Sequence, residues 1–173
     1  PIREALRVLE SEGVIEYSPH KGVRVANVTV EEVKEIYEIR RELEPLAVHH
    51  AIPNITEQDL QELRNYQMEM KNMVNNNGDE RIQITSYRFH MLIYKHANMP
   101  ELLRIIKMLW SKIPHDVLQT IPGRANNSIK DHDEILLAIE KRDVAECEQK
   151  MRVHLDHVLS EIIAYINKKK EQR

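Results

Sequence analysis

The sequence predicts a mainly α fold: an antiparallel helical bundle preceded by a short helix and a β-hairpin. Three observations carry this. Beyond residue 29, apolar residues recur at the three- and four-residue spacing of a helix face in nearly every segment. Two capping boxes, Thr29-x-x-Glu32 and Asp143-x-x-Glu146, mark helix starts. Four glycines and one Phe in 173 residues supply too few turn formers and aromatics for a β-sandwich.

The elements follow in order. Ile2, Ala5, Leu6 and Leu9 share one helical face, Arg3 and Arg7 lie one turn apart on another, and Gly13 is placed to stop the helix. Val14–Tyr17 and Val23–Ala26 read as strands around the turn Ser18-Pro19-His20-Lys21-Gly22. Helix, glycine, hairpin and basic tip in this order form the back half of a winged helix-turn-helix, its recognition helix and β-wing; the chain opens inside the motif. Residues 1–28 are assigned to it and 29–173 to a second, all-helical domain.

In that domain Val33, Ile36, Tyr37, Arg40, Leu43, Glu44, Ala47 and Ala51 form one stripe, which Pro45 should kink or divide. Thr56 caps a second helix carrying Leu60, Leu63 and Met70, and Asn75–Gly78 forms a turn. A third helix spans about 80–97, and a fourth starts at Pro100 and breaks near Pro114. Ile121-Pro122-Gly123 is a loop, Ser128 caps a fifth helix, and Asp143 opens a long last helix ending in Lys168-Lys169-Lys170. Short loops between long amphipathic helices give the antiparallel bundle.

A net charge of −3 argues against a bulk nucleic-acid coat, while a sequence-specific reader confines its basic groups to one small face. The single cysteine, Cys147, excludes a disulfide framework and a cysteine-based zinc finger, and fits a reducing cytoplasm. No apolar run reaches the roughly 18 residues of a membrane span, and no signal peptide is visible.

Among the nine histidines, His90, His132 and His154 stand apart. Each lies inside a predicted helix with apolar residues at helical offsets. On facing helices they would form either one shared metal site or three separately satisfied core side chains; three imidazoles suit Zn, Ni, Fe or Cu. Arg40 on the inward stripe can pair with Glu44 one turn on. Asn98 is either a pocket donor or the cap of the helix starting at Pro100.

The runs Arg3-Glu4-Ala5-Leu6, Gly13-Val14-Ile15 and His20-Lys21-Gly22-Val23-Arg24-Val25 resemble the winged-helix end of the GntR superfamily of bacterial regulators. Ile39-Arg40-Arg41-Glu42-Leu43-Glu44, Phe89-His90 with Ala97-Asn98, and His132-x-x-Ile135-x-x-Ala138-Ile139 through Asp143, Cys147, Met151 and His154 resemble the FadR-type C-terminal ligand-binding domain, the FCD domain. Cys147 stands where that pattern usually has alanine.

The resemblance implies a one-component transcription regulator, a repressor that is a homodimer in the cytoplasm, with a small carboxylate effector in the helical domain. It assigns His90, His132 and His154 to a divalent metal, Zn foremost, with Ni, Fe or Mn as alternatives. The family's carboxylate ligand stands one turn before the first histidine, where this chain has Ser86, a poor zinc ligand. Arg40, Ser86 and Asn98 become effector contacts, which gives Arg40 a second reading, a pocket cation. Arg3 resembles the recognition-helix residue that reads a base edge; His20, Lys21 and Gly22 form the wing tip, and Arg7 and Arg24 are phosphate contacts. Two rivals stand beside this reading: a hydrolase-like enzyme using a three-His metal centre, and a regulator sensing the ion itself. Against the enzyme, the chain has no H-E-x-x-H, no paired E-x-x-H and no Gly-rich phosphate loop.

Overall fold

The computed structural model describes residues 1–11, 15–18, 22–25, 29–75, 81–113 and 120–171. The turn at Gly78, the wing-tip residues His20 and Lys21, the helix stop at Gly13 and the break at Pro114 lie outside them. Helix α1 (Ile2–Ser11) is followed by β1 (Ile15–Ser18) and β2 (Gly22–Val25). The strands pair antiparallel, Ile15 opposite Val25 and Ser18 opposite Gly22, with Gly22 at φ 80° where a side chain would be strained. The α1 face expected to be apolar is largely open, with Ile2 77% and Leu9 37% exposed. Arg3 and Arg7 line a groove with Tyr17 and Val23 of the hairpin.

The rest is a helical bundle. Thr29 closes the expected capping box on α2 (Val30–Ala51): its Oγ1 accepts from the Glu32 backbone N–H at 3.1 Å, and Glu32 Oε2 accepts from the Thr29 N–H at 2.8 Å. A 3₁₀ turn (Ile52–Asn54) leads to α3 (Glu57–Asn75), where Thr56 and Asp59 make the same exchange. Then come α4 (Ile82–Lys95), α5 (Pro100–Ser111), α6 (Arg124–Glu140) and α7 (Val144–Glu171). The central pair is α2 against α7; α4 and α5 also pack on α2, while α6 packs on α3 and α7. The core joins Val48, Leu63, Phe89, Ile93, Ile106, Ile135, Ile139 and Met151, each essentially without exposed surface.

Three expectations need correction. Pro45 does not divide α2, which runs unbroken through it. Proline lacks the N–H that would bond the Arg41 carbonyl; Arg152 of α7 donates to that oxygen at 2.6 Å instead. Helix α6 starts at Arg124, with Gly123 rather than Ser128 in the cap position; at φ 77° this glycine turns the chain into the helix five residues early. Asn98 does not cap α5 with its side chain; it sits at φ 54° in the turn after α4, and Met99 occupies the cap position.

Ile135→Ala removes a fully buried side chain from α6; urea unfolding should show a loss of about 2–5 kcal/mol. Thr29→Ala, which removes only the exposed cap, should cost about 1 kcal/mol.

Candidate metal centre

Helices α4, α6 and α7 each turn one histidine into the bundle. Phe89 and Ile93 anchor α4 so that His90 faces inward; Ile135 and Ile139 do the same for His132 on α6, and Met151 and Leu155 for His154 on α7. His90 and His132 have no exposed surface and His154 only 3%. The ring centroids form a near-equilateral triangle, 4.8 Å (His90–His132), 5.1 Å (His90–His154) and 5.0 Å (His132–His154). One ligand nitrogen from each lies within 4.8 Å of the others. His90 Nε2 and His132 Nε2 stand 3.0 Å apart, the separation of two nitrogens about 2.1 Å from one ion at roughly a right angle.

The surrounding groups set which nitrogens face the centre. Glu44 of α2, fully buried, accepts from Arg40 Nε (2.6 Å), Trp110 Nε1 (2.9 Å) and the Tyr94 hydroxyl (2.5 Å). With its proton given to that carboxylate, the Tyr94 oxygen can only accept from His90 Nδ1, 3.1 Å away. His90 therefore presents a bare Nε2. On the other side Asp131 Oδ2 lies 3.1 Å from His154 Nδ1, holds the proton there, and frees Nε2 in the same way. Without a metal, the short His90–His132 contact requires the proton on His132 Nε2, and His132 Nδ1 then has no hydrogen-bond partner. His90 and His132 thus contact each other, and His154 bonds Asp131. The donor set, its burial and the outer partners on His90 and His154 fit a divalent ion held by imidazole.

Burial, then the neighbouring imidazoles, pushes His90 well below the ordinary histidine range; burial and the His154 imidazole do the same to His132. Burial also lowers His154, against the opposing pull of its bond to Asp131. Burial would raise the Asp131 carboxyl, but bonds to His154 and His157 bring it below the usual value. Tyr94 is raised well above the usual phenol by burial and by Glu44. Cys147 of α7 is buried and its thiol is pushed up to about 12, which makes it inert core.

Beside His154 lies a cavity of about 20 Å³, room for about one water, whose wall includes Arg40, Ser86, Trp110 and Arg124. Ser86, one turn before His90, faces this space. Arg40 is tied to Glu44, as the first of its two readings has it, and also lies on the wall of the cavity. Its guanidinium carbon is 4.5 Å from the Tyr37 and from the Trp110 ring centroid. Asn98 is exposed and is not among the residues of this wall. Sequence reasoning missed four groups here. Asp131 and His157 bond each other at 3.0 Å across α6 and α7, and Arg124 and Glu161 pair at 2.7 Å. Only the helix packing brings these together. Of the DNA-contact candidates, Arg3 and Arg7 lie exposed on α1, and Gly22 and Arg24 lie in β2.

A model of the FCD domain matches residues 35–157. The HTH-type transcriptional regulator McbR of Escherichia coli (strain K12) is 32% identical over 168 residues, which cover 94% of this chain and 72% of McbR. The solved structure of E. coli McbR/YncC matches with a TM-score of 0.82 at 29% identity, over 96% of this chain and 83% of that one. The metal-free FCD domain of TM0439 shares the fold, with a TM-score of 0.69 at 19% identity over 83% of this chain and 99% of its own.

Two outcomes check this geometry. Glu44→Ala leaves the buried Arg40 unpaired and should cost about 3–5 kcal/mol in chemical denaturation. The three histidines have folded values below the unfolded 6.5, so the unfolded chain binds more protons in acid. Their contribution is complete above about pH 6.5 and is lost as pH falls toward the folded values, so the metal-free protein should melt lower at about pH 5 than at about pH 7.5.

Proposed function

From the premise that the chain belongs to the FCD-domain family of GntR-type transcriptional regulators, we propose that it is a repressor whose helical domain senses a small carboxylate at a divalent metal centre. Membership of a family of regulators removes the hydrolase reading. The observation that carries the proposal is the convergence of His90, His132 and His154, buried, with nitrogens aimed at one another. When bound, the ion supplies a fixed positive charge and an open coordination position. His90, His132 and His154 would hold it, with His90 oriented through Tyr94 by Glu44 and His154 by Asp131. Ser86 adds no charge where the family pattern has a carboxylate, so the open position faces a cavity in which an anion from solution completes the set. Zinc fits the three imidazoles best.

In this reading residues 1–28 read DNA and residues 29–173 sense the effector. Two copies form a homodimer that meets a two-fold operator in the cytoplasm. Arg3 contacts a base edge, Arg7 and Arg24 contact phosphates, and His20, Lys21 and Gly22 place the wing. The effector acts by binding one arrangement of the dimer better than the other; tight binding to both would shift nothing. No helix among the described residues is long and apolar enough to cross a membrane.

Metal analysis and zinc titration test the centre. Wild type should bind one zinc per chain, His132→Ala should lose it, and Ser86→Asp should tighten it without any effector. Unchanged zinc affinity in both variants would overturn the assignment. Titrating zinc against operator affinity with no carboxylate present separates metal sensing from metabolite sensing. In the full-length regulator Arg3→Ala should weaken operator binding by about 1–3 kcal/mol and relax sequence preference at one position.

A further inference from the structure

The cavity beside His154 is walled by two buried arginines, and they differ in what remains free. Arg40 is closed: Nε is bonded to Glu44, and Tyr37 and Trp110 cover the guanidinium. Arg124 is open. It is 6% exposed, and Nη1 donates to Glu161 Oε2 at 2.7 Å. Its Nε is buried and has no hydrogen-bond partner among the described residues. A buried guanidinium N–H without an acceptor is costly, and the natural acceptor for it is a carboxylate oxygen.

The backbone supports the same ligand. Arg124 is the first residue of α6, a 17-residue helix whose cap, Gly123, offers no side chain to its free N–H groups. The unpartnered Nε thus belongs to the first residue of the helix, at its positive end, and that residue lines the cavity together with Ser86 and His154. The internal carboxylate at this place, Glu161, is partly committed elsewhere, since it also accepts from Asn127 at 2.7 Å.

We propose that Arg124, rather than Arg40, is the residue that receives the carboxylate of the effector, through its free Nε edge, and that Glu161 competes with the effector for the same guanidinium. This rests on the carboxylate-sensing reading above but not on the metal. Arg40 then serves as a positioning residue: it holds Glu44, and through Glu44 the Tyr94–His90 pair.

The probe is acetate, titrated at fixed ionic strength into full-length protein with and without zinc, with the half-saturating concentration read from the thermal shift. Arg124→Gln should raise that concentration at least ten-fold in both forms, while zinc affinity in acetate-free buffer changes less than two-fold. Arg124→Lys, which keeps the charge and loses the Nε–H, should not restore it. Glu161→Gln removes the competitor and should lower it several-fold. Acetate binding unchanged in Arg124→Gln overturns the proposal. If Arg124→Gln does not fold, Glu161→Gln decides, and an unchanged or higher half-saturating concentration overturns it. Zinc failing to bind while the Arg124-dependent acetate shift persists in the metal-free protein would overturn the metal reading and leave this one standing.

Discussion

Glu44 is a carboxylate with no exposed surface, and donors from three helices meet on it: Arg40 from its own helix α2, Tyr94 from α4 and Trp110 from α5. Removing a carboxylate from water is expensive, and only several charge-assisted hydrogen bonds together offset it. That requirement fixes how α4 and α5 sit on α2. It also fixes chemistry one step further out, because the Tyr94 hydroxyl, committed to Glu44, forces the proton of His90 onto Nδ1. The buried pair and the candidate metal centre are therefore one network, in which helix packing and imidazole tautomer are set by the same oxygen atoms.

The outline of the bundle was legible because periodic apolar stripes and capping boxes are local signals. Thr29 with Glu32 closes as its spacing predicts, and so does Thr56 with Asp59. His90, His132 and His154 were legible for the same reason: each is flanked by core residues at helical offsets, so each had to face inward. What was not legible depends on contacts between distant segments. Asp131 stands next to His132 in sequence, yet its partners are His154 and His157 on the following helix. Pro45 has the local signature of a break, and a distant arginine, Arg152, removes the reason for one. Arg124 looked like a loop residue because the αL turn at Gly123, not a polar cap, starts its helix.

The pattern around the cavity is one of deferred neutralisation. Arg40 is matched by Glu44 and Arg124 by Glu161, but the position that would neutralise a bound cation carries a serine hydroxyl. A chain with an internal carboxylate at 86 would hold its ion regardless of what the cell supplies. On the proposed reading the last negative charge would arrive from outside, which would couple occupancy of the cavity to the electrostatics of the core, the kind of differential interaction that a ligand-driven shift between two states requires.

The size of that cavity has a kinetic meaning. A space that admits about one water cannot admit a metabolite by diffusion into a waiting pocket. Under the proposed carboxylate-sensing role, a ligand larger than water would require side chains of α2, α4, α5, α6 and α7 to move, and the frequency of that movement would then bound the rate of response. At high effector concentration the observed binding rate would level off at a value set by the protein alone. The measured affinity would be weaker than the contacts warrant by the fraction of time the wall stands open. In that role the same wall, closed over a ligand, would slow release, and the response would average over brief fluctuations in metabolite and follow sustained change.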